Sequence, residues 1–130
     1  MDATQALSDL KEISSQIEAA VVLDADGSTI ASTLDDERGR DFSQVVQELL
    51  AAVGRAAGND EAKLAQAEIA TEDGSVFLVR DEQRTIAATT GPEPTVGLVF
   101  YDLKSCLRSF AEEKPKPRAK KKKDEADGEA

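Results

Sequence analysis

Histidine and tryptophan are missing from this chain of 130 residues, and cysteine occurs once, at Cys106. Without histidine, the side chain that most often moves protons near neutral pH is gone. No nucleophile-and-base constellation stands in its place, so most hydrolase and transferase schemes are excluded. A lone cysteine cannot close a disulfide within the chain, and the cytosol is the compartment that keeps such a thiol reduced. No run of about 18 apolar residues exists, and Met1-Asp2-Ala3 has neither the basic nor the apolar region of a secretory leader; a soluble cytoplasmic protein is expected. Aromatic residues make up only 4%. The core must therefore come from Val, Leu, Ile and Ala, which favours a compact sheet with helices laid on it.

Positive charge is also scarce until the chain nears its end. Up to Phe110 there are 20 Asp and Glu against 9 Lys and Arg, whereas Lys114 to Lys123 holds seven basic residues and no acid. An acidic surface repels phosphate, so the folded part is a poor nucleic-acid binder; only the tail has the charge for it. The expected organisation is one domain over residues 1–111, followed by a disordered tail over 112–130 that is Lys/Pro-rich and then acidic.

What is present is an order of elements. Asp2 and Gln5 have the spacing of a capping box, and Leu7, Leu10, Ile13 (with Ser14 beside it) and Ile17 draw one apolar stripe on a first helix. Ala19 to Leu23 and Thr29 to Thr33 form a hairpin closing at Asp24-Ala-Asp26-Gly27. Leu34 to Arg40, charged and containing Gly39, reads as a loop that delivers Asp41 to the N-cap of a second helix, Phe42 to Gly58. Phe42, Val45, Val46, Leu49, Leu50 and Val53 give that helix the cleanest periodicity in the chain, with more large apolar groups than the sheet beneath it requires. Lys63 to Thr71, Val76 to Val79 and Thr85 to Thr90 are strands, the first of them built of small residues suited to pairing at a sheet edge. After Pro92 and Pro94, Thr95 caps a last helix, Val96 to Phe110, whose stripe is Leu98, Val99, Leu103, Cys106 (or Leu107) and Phe110.

Helix, hairpin, long helix, three antiparallel strands and helix is an order that resembles the roadblock/light-chain-seven family. The likeness is carried by Ala19-Ala-Val-Val-Leu-Asp-Ala-Asp-Gly-Ser-Thr-Ile-Ala-Ser32, by the Ala-rich second helix and by Thr90-Gly-Pro-Glu-Pro-Thr-Val-Gly-Leu98. It implies an α/β sandwich: a central five-stranded, mostly antiparallel sheet with one long helix on one face and two on the other. It also implies a stand-alone bacterial homodimer in which third strands pair edge to edge and second helices lie side by side, serving as a platform for a Ras-like small GTPase. Carried onto this chain, the seam would draw on Phe42, Val46, Leu49, Leu50, Val53, Leu64, Ala67 and Ile69. The GTPase would meet Gln44, Gln47, Glu48 and Arg55.

Bland readings stand beside the sharper ones. Asp24, Asp26, Glu72 and Asp73 lack calcium-loop spacing and read as turn chemistry, so no metal or cofactor is expected. Glu93 belongs to a rigid loop, and Cys106 is a packing thiol on an apolar stripe. Arg38, Arg40 and Arg55 have the chemistry of an arginine finger but also that of an ordinary solvated surface. Without interleaved aromatics or a lipidation signal the tail reads first as solvated or self-associating; the sharper readings are salt-dependent docking on an anionic membrane, nucleic acid or acidic partner, or folding back on the acidic domain. The leading expectation is a non-enzymatic homodimeric adaptor that regulates or scaffolds a small GTPase. A small-molecule-sensing α/β module is the alternative, and an enzyme comes third.

Overall fold

A computed structural model describes residues 2–56, 66–81 and 84–111. Helix α1 (Ala3–Ile13) leads into strands β1 (Ile17–Leu23) and β2 (Thr29–Ser32), then helix α2 (Asp36–Ala56), strands β3 (Gln66–Ala70), β4 (Ser75–Arg80) and β5 (Thr85–Thr90), and helix α3 (Val96–Ala111). The sheet order is β2-β1-β5-β4-β3, and every neighbouring pair is antiparallel.

Strand alternation divides the core in two. Ala20, Val22, Phe77, Val79, Ile86 and Ala88 face α1 and α3, where Leu7, Leu10, Val99 and Leu103 close the layer. With so few aromatics, each ring contact matters: Phe77, fully buried, meets Phe100 edge to face at 5.0 Å. Residues of opposite parity, Val21, Leu23, Leu78 and Ala87, face Val46 and Leu50 of α2. The sandwich of one helix, sheet and two helices is the expected one.

Local chemistry explains the boundaries. Asp2 Oδ1 accepts the Gln5 backbone N–H at 2.8 Å, the expected cap. The Gln5 amide, however, donates forward to Asp9 Oδ1 at 2.9 Å and does not reach back to close the box. Helix α1 stops at Ile13, so Ile17 belongs to β1, and Ile13, expected on the buried stripe, is 73% exposed. In the β1–β2 turn, Gly27 adopts φ +92°, a conformation that costs other residues about 1–2 kcal/mol. Asp24 Oδ1 accepts the N–H groups of Asp26 and Ser28, and Asp26 Oδ1 also accepts that of Ser28.

The second helix differs most from expectation. It begins at Asp36, not Phe42, and its cap is Asp35, not Asp41: Asp35 Oδ1 accepts the Arg38 N–H at 2.9 Å and Asp35 O accepts the Gly39 N–H at 2.8 Å. Asp36 and Glu37 then place negative charge in the first turn, where the helix dipole favours it. Gly39, read as a loop residue, is a buried helix residue against β2; a Cβ there would meet Ser32 Oγ at 2.9 Å. The extra turn exists because glycine lets it lie on the strand. At the far end, Gly58, expected to close this helix, lies outside the described residues, as do Leu64, the side chain of Phe110 and the tail from residue 112.

Candidate interaction surface

Helix α2 lies on its sheet with apolar residue to spare. Val46 and Leu50, 0% and 6% exposed, are spent on the protomer's own core. Around them Phe42, Leu49, Ala67, Ile69 and Val76 pack against the same cluster yet remain half-buried, forming a rim from the helix onto β3 and β4. Register builds that side of the rim: Ala67 faces Leu78 and Ile69 faces Val76 across the ladder, with Gln66, Glu68 and Ala70 exposed between them.

The two sheet edges are unlike. Strand β2 is four residues long and is contacted by both α1 and α2. Strand β3 packs chiefly on β4, and among the described residues no strand pairs with its outer edge, the kind of edge that can template another strand. An apolar rim thus lies beside an edge strand, the two features by which sheets recruit another chain.

A family model, the Roadblock/LC7 domain, matches residues 4–90. The chain belongs to that family. Solved structures agree on the fold. A Roadblock/LC7 domain from Streptomyces avermitilis is 20% identical, with a TM-score of 0.74 over 86% of this chain and 97% of that one. MglB from Thermus thermophilus, a gliding protein, is 14% identical, with a TM-score of 0.68 over 85% of this chain and 86% of that one. Myxococcus xanthus MglB is 12% identical, with a TM-score of 0.61 over 85% of this chain and 82% of that one. A search of curated protein sequences finds no match.

In this roadblock domain the residues named for a seam divide into two groups. Val46 and Leu50 are covered by their own sheet, whereas Phe42, Leu49, Val53, Ala67 and Ile69 keep partial exposure. Val45, on the expected buried stripe, is instead 46% exposed. Of the residues named for a GTPase, Gln44, Glu48 and Arg55 project into solvent. Gln47 is also exposed but is tied down, its amide donating to Gly27 O at 2.9 Å and so fastening α2 to the β1–β2 turn. A second tie joins Thr29 Oγ1 and Ser43 Oγ at 2.7 Å. Nothing in the spacing of these residues announces either tie, nor the place of Val76 on the rim.

Electrostatics at the charged candidates is modest. Arg38 Nε lies 3.8 Å from Asp35 Oδ2, an exposed pair worth little in water. Asp26 is pulled down to about 2 by hydrogen bonding with the Asp24 side chain, then with the Ser28 hydroxyl and the Ser28 N–H. Cys106 is pushed up to about 12 by burial, with Asp9 adding to the effect, which leaves an inert packing thiol. Among the described residues no group of three or more His, Cys, Asp or Glu is placed to hold a metal, and no helix is long and apolar enough to cross a membrane. Depressions of about 460 Å³ beside Asp24 and Arg84 and about 550 Å³ between β2 and the start of α2 are open to solvent. A small-molecule site would enclose most of its ligand, which neither does.

Proposed function

We propose that this roadblock domain is a non-catalytic cytoplasmic adaptor that pairs with a second copy of itself and binds a Ras-like small GTPase, regulating its nucleotide hydrolysis or scaffolding it. The observation that carries this reading is the half-buried apolar rim of α2, continuous with the open edge of β3. Pairing two β3 edges completes backbone hydrogen bonds, and the same approach brings Leu49, Ile69 and Val76 of each copy out of water. Family membership supports the GTPase as partner. Gln44, Gln47, Glu48 and Arg55 are the positions to probe for the GTPase, and Leu64, beyond the described residues, the one to probe with the pairing strand.

Mass in solution by light scattering tests the pairing: the intact chain should be a dimer, and a Leu49→Asp, Val53→Asp variant a monomer. GTP hydrolysis by a Ras-like small GTPase, followed with and without the protein, tests the partnership. A monomeric intact chain overturns the first half of the proposal. An intact dimer that neither binds the GTPase nor changes its hydrolysis overturns the second.

A further inference from the structure

The face of the sheet opposite α2 carries a second surface, which the pairing proposed above does not use. Between α1 and α3 runs a groove of about 360 Å³, with buried Leu10 and Cys106 at its base and the carboxylates of Asp9 and Asp102 on its walls. Ile13 and Tyr101, which also line it, are 73% and 64% exposed. Leu98 stands one turn before Tyr101 and Asp102 on the same side of α3 and is 50% exposed. The helices run antiparallel, since Gln16, just after α1, accepts the Thr95 N–H, just before α3, at 2.6 Å. Ile13, Leu98 and Tyr101 therefore gather at one end of the groove, and Ser109 marks the other.

The charged residues lining the groove are both acidic. One oxygen of Asp9 accepts the Gln5 amide at 2.9 Å, and the Asp9 charge adds to the burial that pushes the Cys106 thiol up, so its field reaches the base. The cations of the two helices are turned elsewhere. Lys11 donates to Glu18 O at 2.8 Å, while Lys104 and Arg108 line a depression on the other flank of α3, Arg108 reaching back to Ser105 Oγ at 3.4 Å.

Sign of charge selects the occupant. Two copies of this chain meeting groove to groove would set Asp9 and Asp102 against their own images, and an anionic membrane or a nucleic acid would bring phosphate to them. A cationic segment of another protein offsets these carboxylates while its apolar side chains cover Ile13, Leu98 and Tyr101, whose exposed ring also attracts a cation. Shape narrows the choice further. The furrow between two antiparallel helices takes a third helix at an axial distance of about 8–10 Å, and from Leu98 to Ser109 α3 rises about 16 Å, the length of three helical turns. Small side chains at Ala6, Ser105 and Ser109 permit that approach.

We infer that α1 and α3 form a docking groove for a cationic amphipathic helix of a different protein, its apolar stripe against Ile13, Leu98 and Tyr101 and its Lys or Arg residues against Asp9 and Asp102. The inference stands apart from the pairing and GTPase readings, because it uses the other face of the sheet. Its consequence is an adaptor with two working sides.

The probe is an amphipathic Leu/Lys peptide of about four helical turns without aromatic residues. A scrambled peptide of the same composition and a Leu/Glu peptide of the same pattern are the controls. Tyr101 is the only tyrosine in a chain without tryptophan, so acrylamide quenching of intrinsic fluorescence reports on this groove, and backbone amide shifts of the full chain locate the peptide. The Leu/Lys peptide should shield Tyr101 and move the amides of α1 and α3, with both controls at least about tenfold weaker. Asp9→Asn/Asp102→Asn should raise its Kd about fivefold, and Ile13→Ser/Leu98→Ser by at least as much, circular dichroism confirming that each variant folds. No binding at millimolar peptide, equal binding of the scrambled peptide, shifts centred on α2, or a Kd unchanged in either variant overturns the proposal. A mass in solution that falls in Ile13→Ser/Leu98→Ser assigns the groove to a second copy, and tighter binding to phosphatidylglycerol vesicles than to the peptide assigns it to a membrane; each overturns it as well.

Discussion

Substituting Val46 and Leu49 separately distinguishes what α2 does for its own protomer from what it offers another. Val46 is 0% exposed against the sheet. Val46→Ala removes the equivalent of two methylenes, about 1.6 kcal/mol at about 0.8 kcal/mol each, and the cavity left behind brings the loss to about 2–3 kcal/mol. In a domain of this size Tm should fall by about 10 °C or more. Leu49, on the half-buried rim, contributes less to the protomer, but Leu49→Asp puts a charge where a second chain would sit. If the protein is a dimer, raising its concentration about a hundredfold adds about 2.7 kcal/mol to its apparent stability by mass action. The assay is urea unfolding followed by circular dichroism at two such concentrations. Wild type and Val46→Ala should share the concentration dependence, displaced by the core loss, whereas Leu49→Asp should lose it. Concentration dependence that survives in Leu49→Asp, or vanishes in Val46→Ala, refutes this division of the helix.

Three further outcomes are expected. Gly39→Ala should destabilise by about 1 kcal/mol despite the higher helix propensity of alanine, because the new Cβ meets Ser32 Oγ, which is held by the Leu34 N–H at 2.9 Å; calorimetry showing a gain would contradict that packing. Asp26 has a folded pKa of about 2, below its ordinary 3.8, so its stabilisation is complete above about pH 4 and disappears as pH falls toward 2; the stability difference between wild type and Asp26→Asn should be flat above that range and shrink below it. Cys106, pushed up to about 12 from 9.0, should be alkylated at pH 8 at least about a thousandfold more slowly than a small free thiol, and rapid labelling of the native protein would contradict its burial.

The sheet and its neighbours were legible because their signals are local. The Asp24 to Ser28 turn, the β-branched run before it and the Gly-Pro-Glu-Pro stretch before α3 each dictate a conformation within a few residues. The first turns of α2 were not, because Gly39 among charged residues is what a loop also looks like; only Ser32, from a strand preceding it, explains the glycine. Periodicity located the stripe of α2 but did not separate Val46 from Leu49, a distinction set by how far the sheet extends beneath the helix. Ile13 and Leu98 illustrate the same limit from the other side: both recur at the right spacing, yet they are 73% and 50% exposed. Gln47 carried no signal at all, since a glutamine that fastens a turn looks like any solvated one.

The difference between the two sheet edges bears on how large an assembly can grow. A chain with both edges available would add copies indefinitely, as fibrils do. If two five-stranded sheets join through β3, as proposed, the edge that is open among the described residues is consumed in each, and both outer boundaries of the composite are then β2, short and flanked by helices. Under that pairing strand addition terminates itself at a closed twofold pair, and a larger particle would have to be built through helical faces.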